Sequence, residues 1–110
     1  MIIYINFPRC FRYAGIALFP FIFIEKSFKE TWTIEKSILI NHERIHLRQQ
    51  AETLVIFFYV IYVLNYILNI IRDGSSRRAY RALMFEKEAY ANQADFKYLK
   101  NRKWFGWLRA

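Results

Sequence analysis

Between Ile34 and Ile71 the chain has no glycine and no proline, and its apolar positions change pattern halfway. Residues 34–52 are amphipathic, whereas TLVIFFYVIYVLNYILNII at 53–71 is apolar on nearly every side. The pattern predicts two helices, at about 34–52 and 53–71. Thr31 or Thr33 is placed to cap the first, and Glu35 falls in its first turn, where a carboxylate meets the positive end of the helix dipole. RDGSSRR ends the second helix, with Gly74 suited to its C-terminal cap and Ser75 or Ser76 able to cap the next. A third helix is predicted at about 77–100, where Ala82, Phe85, Ala89, Asn92, Phe96 and Leu99 share one face. Upstream, IIYINF at 2–7 and GIALFPFIFI at 15–24 are β-branched and aromatic, and both read as strands. The second is expected at a sheet edge, where Pro20 removes no ladder bond. The expected fold is α+β and mostly helical: three helices with a small N-terminal sheet. Residues 1–110 read as one domain with an aromatic, basic tail, NRKWFGWLRA, at 101–110.

Composition narrows the class. Hydrophobic residues make up 55% of the 110 positions and aromatics 20%, which excludes disorder. Nineteen residues at the helical rise cover about 28 Å, close to the hydrocarbon thickness of a bilayer. Asn65, Asn69 and three tyrosines within 53–71 work against insertion, so that helix is either membrane-embedded or a core element.

The formal net charge is +8, and ten of the 17 basic residues lie between Arg72 and Arg109. That distribution suits an anionic membrane surface. No zinc-finger, RNP or helix-turn-helix pattern accompanies it, so no nucleic acid is expected. No basic residue precedes the first apolar run and no small-residue cleavage site follows, so the chain is expected not to be secreted. It is expected in the cytoplasm or on the inner membrane, with its site facing the cytoplasm. Cys10, the only cysteine, allows no internal disulfide and no thiolate cluster, and is read as a buried thiol.

The two histidines stand four residues apart in NHERIH, at His42 and His46, with Glu43 between them. On a helix these positions share one face one turn apart, so both imidazoles can reach one ion. Zn2+ accepts two histidines, a carboxylate and a water, and Glu43 is close enough to take a proton from that water. With no further histidine, a third ligand must be a carboxylate. FEKEAYANQAD offers Glu86, Glu88 and Asp95.

HERIH, the apolar run 53–71 and EAYAN at 88–92 together resemble the gluzincin zinc metallopeptidases over roughly residues 34–96. The likeness is greatest to the membrane-associated HtpX/CAAX-protease branch, the sensor-transducer peptidases of β-lactam resistance and the minigluzincins. The resemblance implies zinc as cofactor and a peptide or protein as substrate. It implies His42, His46 and Glu88 as ligands, Glu43 as general base and Ala91 as the small residue that lets two helices approach. Asn92 would stand where the family has an aspartate that orients a ligand histidine. Glu86, followed by Ala89, is the alternative ligand, and it would put Tyr90 at the aspartate position. Tyr90 and Arg81 are candidates to stabilise an oxyanion. Arg44 is a departure from the pattern and is expected on the far side of the helix. The rival readings are a non-catalytic, membrane-associated basic helical protein, and a metal-binding pseudoenzyme or latent enzyme whose tail fills the cleft.

Overall fold

A computed structural model describes residues 1–7 and 14–109. The fold is α+β and mostly helical, with a small sheet formed near the N-terminus. The strands are β1 (Ile2–Ile5), β2 (Gly15–Leu18) and β3 (Phe21–Glu25), in the order β1-β3-β2. β3 lies in the centre, parallel to β1 and antiparallel to β2. The single strand expected at 15–24 is therefore a hairpin. Its turn falls at Phe19–Pro20, because proline donates no ladder bond and favours a bend. Only its first half, β2, is at the edge. The expectation for Cys10 lies outside the described residues.

Among the described residues five α-helices follow: α1 (Ile34–Glu52), α2 (Ile56–Asp73), α3 (Ser76–Arg81), α4 (Met84–Asn92) and α5 (Tyr98–Asn101). Thr33 caps α1 by accepting from the Lys36 amide at 3.3 Å. Gly74 closes α2 in the left-handed conformation, and Ser75 caps α3. The start expected for the second helix is corrected from 53 to 56. The chain reverses at Leu54 and Val55, both at positive φ (55° and 63°), and no helix passes through that geometry. The helix expected over 77–100 is three pieces. Its face holds at Phe85 and Ala89, which are fully buried, but ends with α4, leaving Phe96 exposed.

Two apolar clusters frame the interior. Ala17, Ile22 and Ile24 of the sheet are buried, as is Ile45 of α1. Phe58 of α2, Phe85 of α4 and Trp107 of the tail form the second cluster, with Ile61, Tyr62 and Met84 packed against it. The tail thus folds back over the domain, and Trp107 meets Phe85 edge-on at 4.9 Å between ring centroids. The inner face of α1 also carries many polar residues: Asn41, His42, Glu43, His46, Gln49 and Gln50 are all buried. Burying so many polar groups is costly unless each is partnered, so the partners of this face show what the fold is arranged to hold.

Candidate metal centre

α1 and α4 bring three possible ligand atoms together. Nε2 of His42 and Nε2 of His46 lie 3.1 Å apart, and each is 3.1 Å from Oε1 of Glu86. All three residues are buried, and they form a group that could hold a metal ion. The geometry suits a small divalent cation. The centre of an equilateral triangle of that side is about 1.8 Å from each corner. An ion seated about 1 Å above it would lie about 2.0–2.1 Å from all three atoms, the usual zinc distance to imidazole nitrogen and carboxylate oxygen.

The outer ring nitrogens fix the tautomers. Nδ1 of His42 donates to Oε1 of Gln93, and Nδ1 of His46 donates to Oε1 of Gln49, each at 2.7 Å. Each Nε2 is thereby left to face the shared carboxylate oxygen, and a neutral ring would offer a cation its lone pair there. Neither glutamine is adrift. Gln49 donates through Nε2 to the Phe85 carbonyl at 3.0 Å and to Oε1 of Glu88 at 2.8 Å, which leaves its oxygen for His46. Gln93 follows the end of α4, where Nδ2 of Asn41 donates to the carbonyls of Asn92, Gln93 and Asp95 and anchors the turn.

Glu88, expected as the ligand, is not among the converging groups; the alternative candidate, Glu86, stands there instead. Two residues apart on α4, the two carboxylates point to different sides of the helix. Glu88 is buried against Arg102, which donates to it through Nε at 2.5 Å and Nη2 at 3.0 Å. Arg102 also grips Glu52 in a two-pronged pair at 2.7 and 2.8 Å, and Tyr98 donates its hydroxyl to Glu88. Burial alone would raise the Glu88 carboxyl, but the bonds from Arg102, Gln49 and Tyr98 hold it below the usual carboxylate range.

The register shift carries the other assignments with it. Ala91 is exposed, while Ala89 is fully buried as the small residue on α4. Asn92 does not orient a histidine: its Nδ2 donates back along its own helix to the Glu88 carbonyl at 2.9 Å. The residues that do are Gln93 and Gln49. Sequence reasoning passed over both, although Gln93 lies two helical turns beyond Glu86 and Gln49 three residues beyond His46, on the ligands' own faces. Tyr90 packs edge-on against the His42 ring at 4.7 Å, and the Arg81 guanidinium covers the Tyr90 ring at 4.2 Å. Arg44 is exposed, as expected.

These groups sit in a cleft of about 440 Å³ walled by β2, α1, Tyr59 and Tyr62 of α2, and Tyr80 and Tyr90. Glu43 lines it next to the histidines, and Gly15 of β2 lies against Glu43: a Cβ at Gly15 would come within 3.4 Å of its Cγ. None of the described tail residues lines the cleft.

The electrostatics favour added positive charge. Burial opposes a charged His46, yet attraction and hydrogen bonding to Glu86 outweigh it and push the imidazole up to about 9. Burial likewise opposes the Glu86 anion, but the two imidazoles bring its carboxyl down to about 2. Burial dominates at Glu43 and raises its carboxyl, with the histidines pulling the other way. Compared with protein-family models, curated proteins and solved structures, the chain matches none.

Proposed function

We propose that this chain is a zinc-dependent metallopeptidase, with His42, His46 and Glu86 as the metal ligands and Glu43 as general base. The observation that carries the reading is the triangle of two imidazole nitrogens and a carboxylate oxygen at 3.1 Å, on a cleft that Glu43 shares. A bound zinc ion supplies Lewis acidity and a water acidified toward neutrality. The choice of zinc rests on the donor set, two imidazoles and one carboxylate, and on the size of the triangle.

The chain's own groups account for the rest. Glu43, raised by burial, is suited to take a proton from a water in the cleft and return it to the leaving amine. Its place on α1, one residue after His42, keeps that shuttle on the same wall as both imidazoles. Tyr90, held in place by His42 and Arg81, is the candidate to stabilise an oxyanion. β2 supports a peptide substrate. It is the edge strand on the cleft side, and the antiparallel register turns the backbone groups of Gly15 and Ala17 away from β3. Gln50 already donates to the Ala17 carbonyl at 2.8 Å, so an extended peptide would pair at Gly15.

The test is cleavage of a quenched fluorescent peptide library by zinc-loaded protein and by Glu43→Gln. The reading predicts cleavage by the wild type and its loss, by at least a hundredfold, in a variant that still holds the metal. Zinc bound with no cleavage by the wild type would instead support the pseudoenzyme reading.

A further inference from the structure

α2 is built inside out for a protein surrounded by water. Its polar side chains turn toward the domain. Asn65 accepts from the Met84 amide at 2.9 Å, Asn69 donates to the Ala79 carbonyl at 3.1 Å, and the Tyr62 hydroxyl donates to Glu86 at 3.5 Å. Its outer side is the apolar one. Ile56, Val60, Val63, Leu64, Ile67 and Ile71 recur at helical spacing and are all exposed, Ile56 at 72% and Ile71 at 76%. No charged residue lies between Ile56 and Ile71, so the stripe is unbroken over about 24 Å. A continuous apolar surface of this size marks a partner.

Both ends of the stripe are basic. Arg72, Arg77 and Arg78 are exposed just past its C-terminal end. At the other end Glu52 pairs with Arg102 and accepts from the Phe105 amide at 2.7 Å. Those contacts hold the exposed Lys103 and Trp104 beside the end of α1, four residues before α2 begins. A second copy of this chain, docked parallel or antiparallel along the stripe, would bring basic ends onto basic ends. An anionic bilayer complements both ends and the apolar stripe together.

The helix is long and apolar enough to cross a membrane. Its inner side, however, packs on α3 and on Phe85 of α4 through bonds made by Asn65 and Asn69, so the domain runs alongside it. A crossing would carry buried ions such as Glu86, Glu88 and Arg102 to membrane depth. We propose that α2 lies in the plane of an anionic lipid bilayer, with the Ile56–Ile71 stripe in the acyl boundary and the flanking basic residues on the headgroups. This does not rest on the metal reading. It sets Phe58, Tyr59 and Tyr62, which line the cleft, on the membrane-facing helix.

The experiment is flotation of the full chain with vesicles of phosphatidylcholine alone or with 30% phosphatidylglycerol. The helical circular dichroism of each variant serves as the check that it is folded. The expected result is binding to the anionic vesicles that 0.5 M salt weakens without abolishing. Leu64→Asp with Leu68→Asp should lower partitioning at least tenfold, and Arg77→Gln with Arg78→Gln should weaken it on anionic vesicles only. Three results would overturn the proposal: no flotation of the wild type, full release by salt, or a stable dimer in vesicle-free buffer that the aspartates dissociate. The last would make the stripe a self-association surface.

Discussion

The side-chain amide of Gln49 donates to the Glu88 carboxylate at 2.8 Å, and that bond separates the roles of two carboxylates only two residues apart. Glu88 is spent on holding Gln49, which holds His46, while Glu86 faces both imidazoles. The chain Arg102–Glu88–Gln49–His46 ties the candidate centre to the C-terminal part of the molecule.

Gln49→Ala should therefore weaken metal binding without abolishing it. The ligands remain, but His46 loses the acceptor that fixes its tautomer and ring angle. A fall of about 10–100-fold in zinc affinity is expected, measured by competition with a chromogenic chelator. An unchanged affinity would mean that the glutamine has no orienting part.

Glu88→Ala should act mainly on stability. It strands Arg102, whose side chain is 1% exposed, with Glu52 as its remaining carboxylate. Removing one partner of a buried pair costs about 3–5 kcal/mol, and the surviving Glu52 pair places this variant toward the lower end. Urea unfolding measures the loss. The folded fraction should still take up zinc, whereas Glu86→Ala should not.

Gly106→Ala tests the close approach of the tail. A Cβ there would stand 2.5 Å from Oε2 of Glu88 and 3.1 Å from the Tyr98 hydroxyl. The carboxylate is held by Arg102 and cannot swing aside, so a loss of about 1–3 kcal/mol is expected on thermal or urea unfolding. Wild-type stability in this variant would contradict the packing described.

Acidity should oppose the metal. Binding requires a neutral His46, and Glu86 keeps that imidazole protonated up to about 9. Each ion bound below that pH displaces about one proton, so zinc affinity should rise about tenfold per pH unit through neutrality and level off above about 9. In the metal-free chain the sign is reversed. A raised histidine pKa stabilises the fold fully below about 6.5, its unfolded value, and that contribution is lost as pH rises through about 9. Zinc competition and urea titrations across this range check both slopes.

Much of the framework is written locally in the sequence. Thr33, Gly74 and Ser75 act within one turn of where they stand, and α1 and the two histidines follow from a pattern that needs no distant partner. What periodicity leaves open depends on long-range pairing. Glu86 and Glu88 are both carboxylates on one short helix, and distant partners, Gln49 from α1 and Arg102 14 residues beyond Glu88, engage Glu88 elsewhere. The weight given to Asn65 and Asn69 against lipid has the same origin. An asparagine is costly in an apolar setting when its amide lacks a partner, and here both amides are satisfied from α3 and the start of α4.

Metal content per chain, measured after zinc loading and removal of excess by gel filtration, tests the central claim most directly. The account predicts about one zinc in the wild type and in Glu43→Gln, and close to none in Glu86→Ala or His46→Ala. A wild type that emerges without zinc, or a Glu86→Ala variant that keeps a full equivalent, would contradict it.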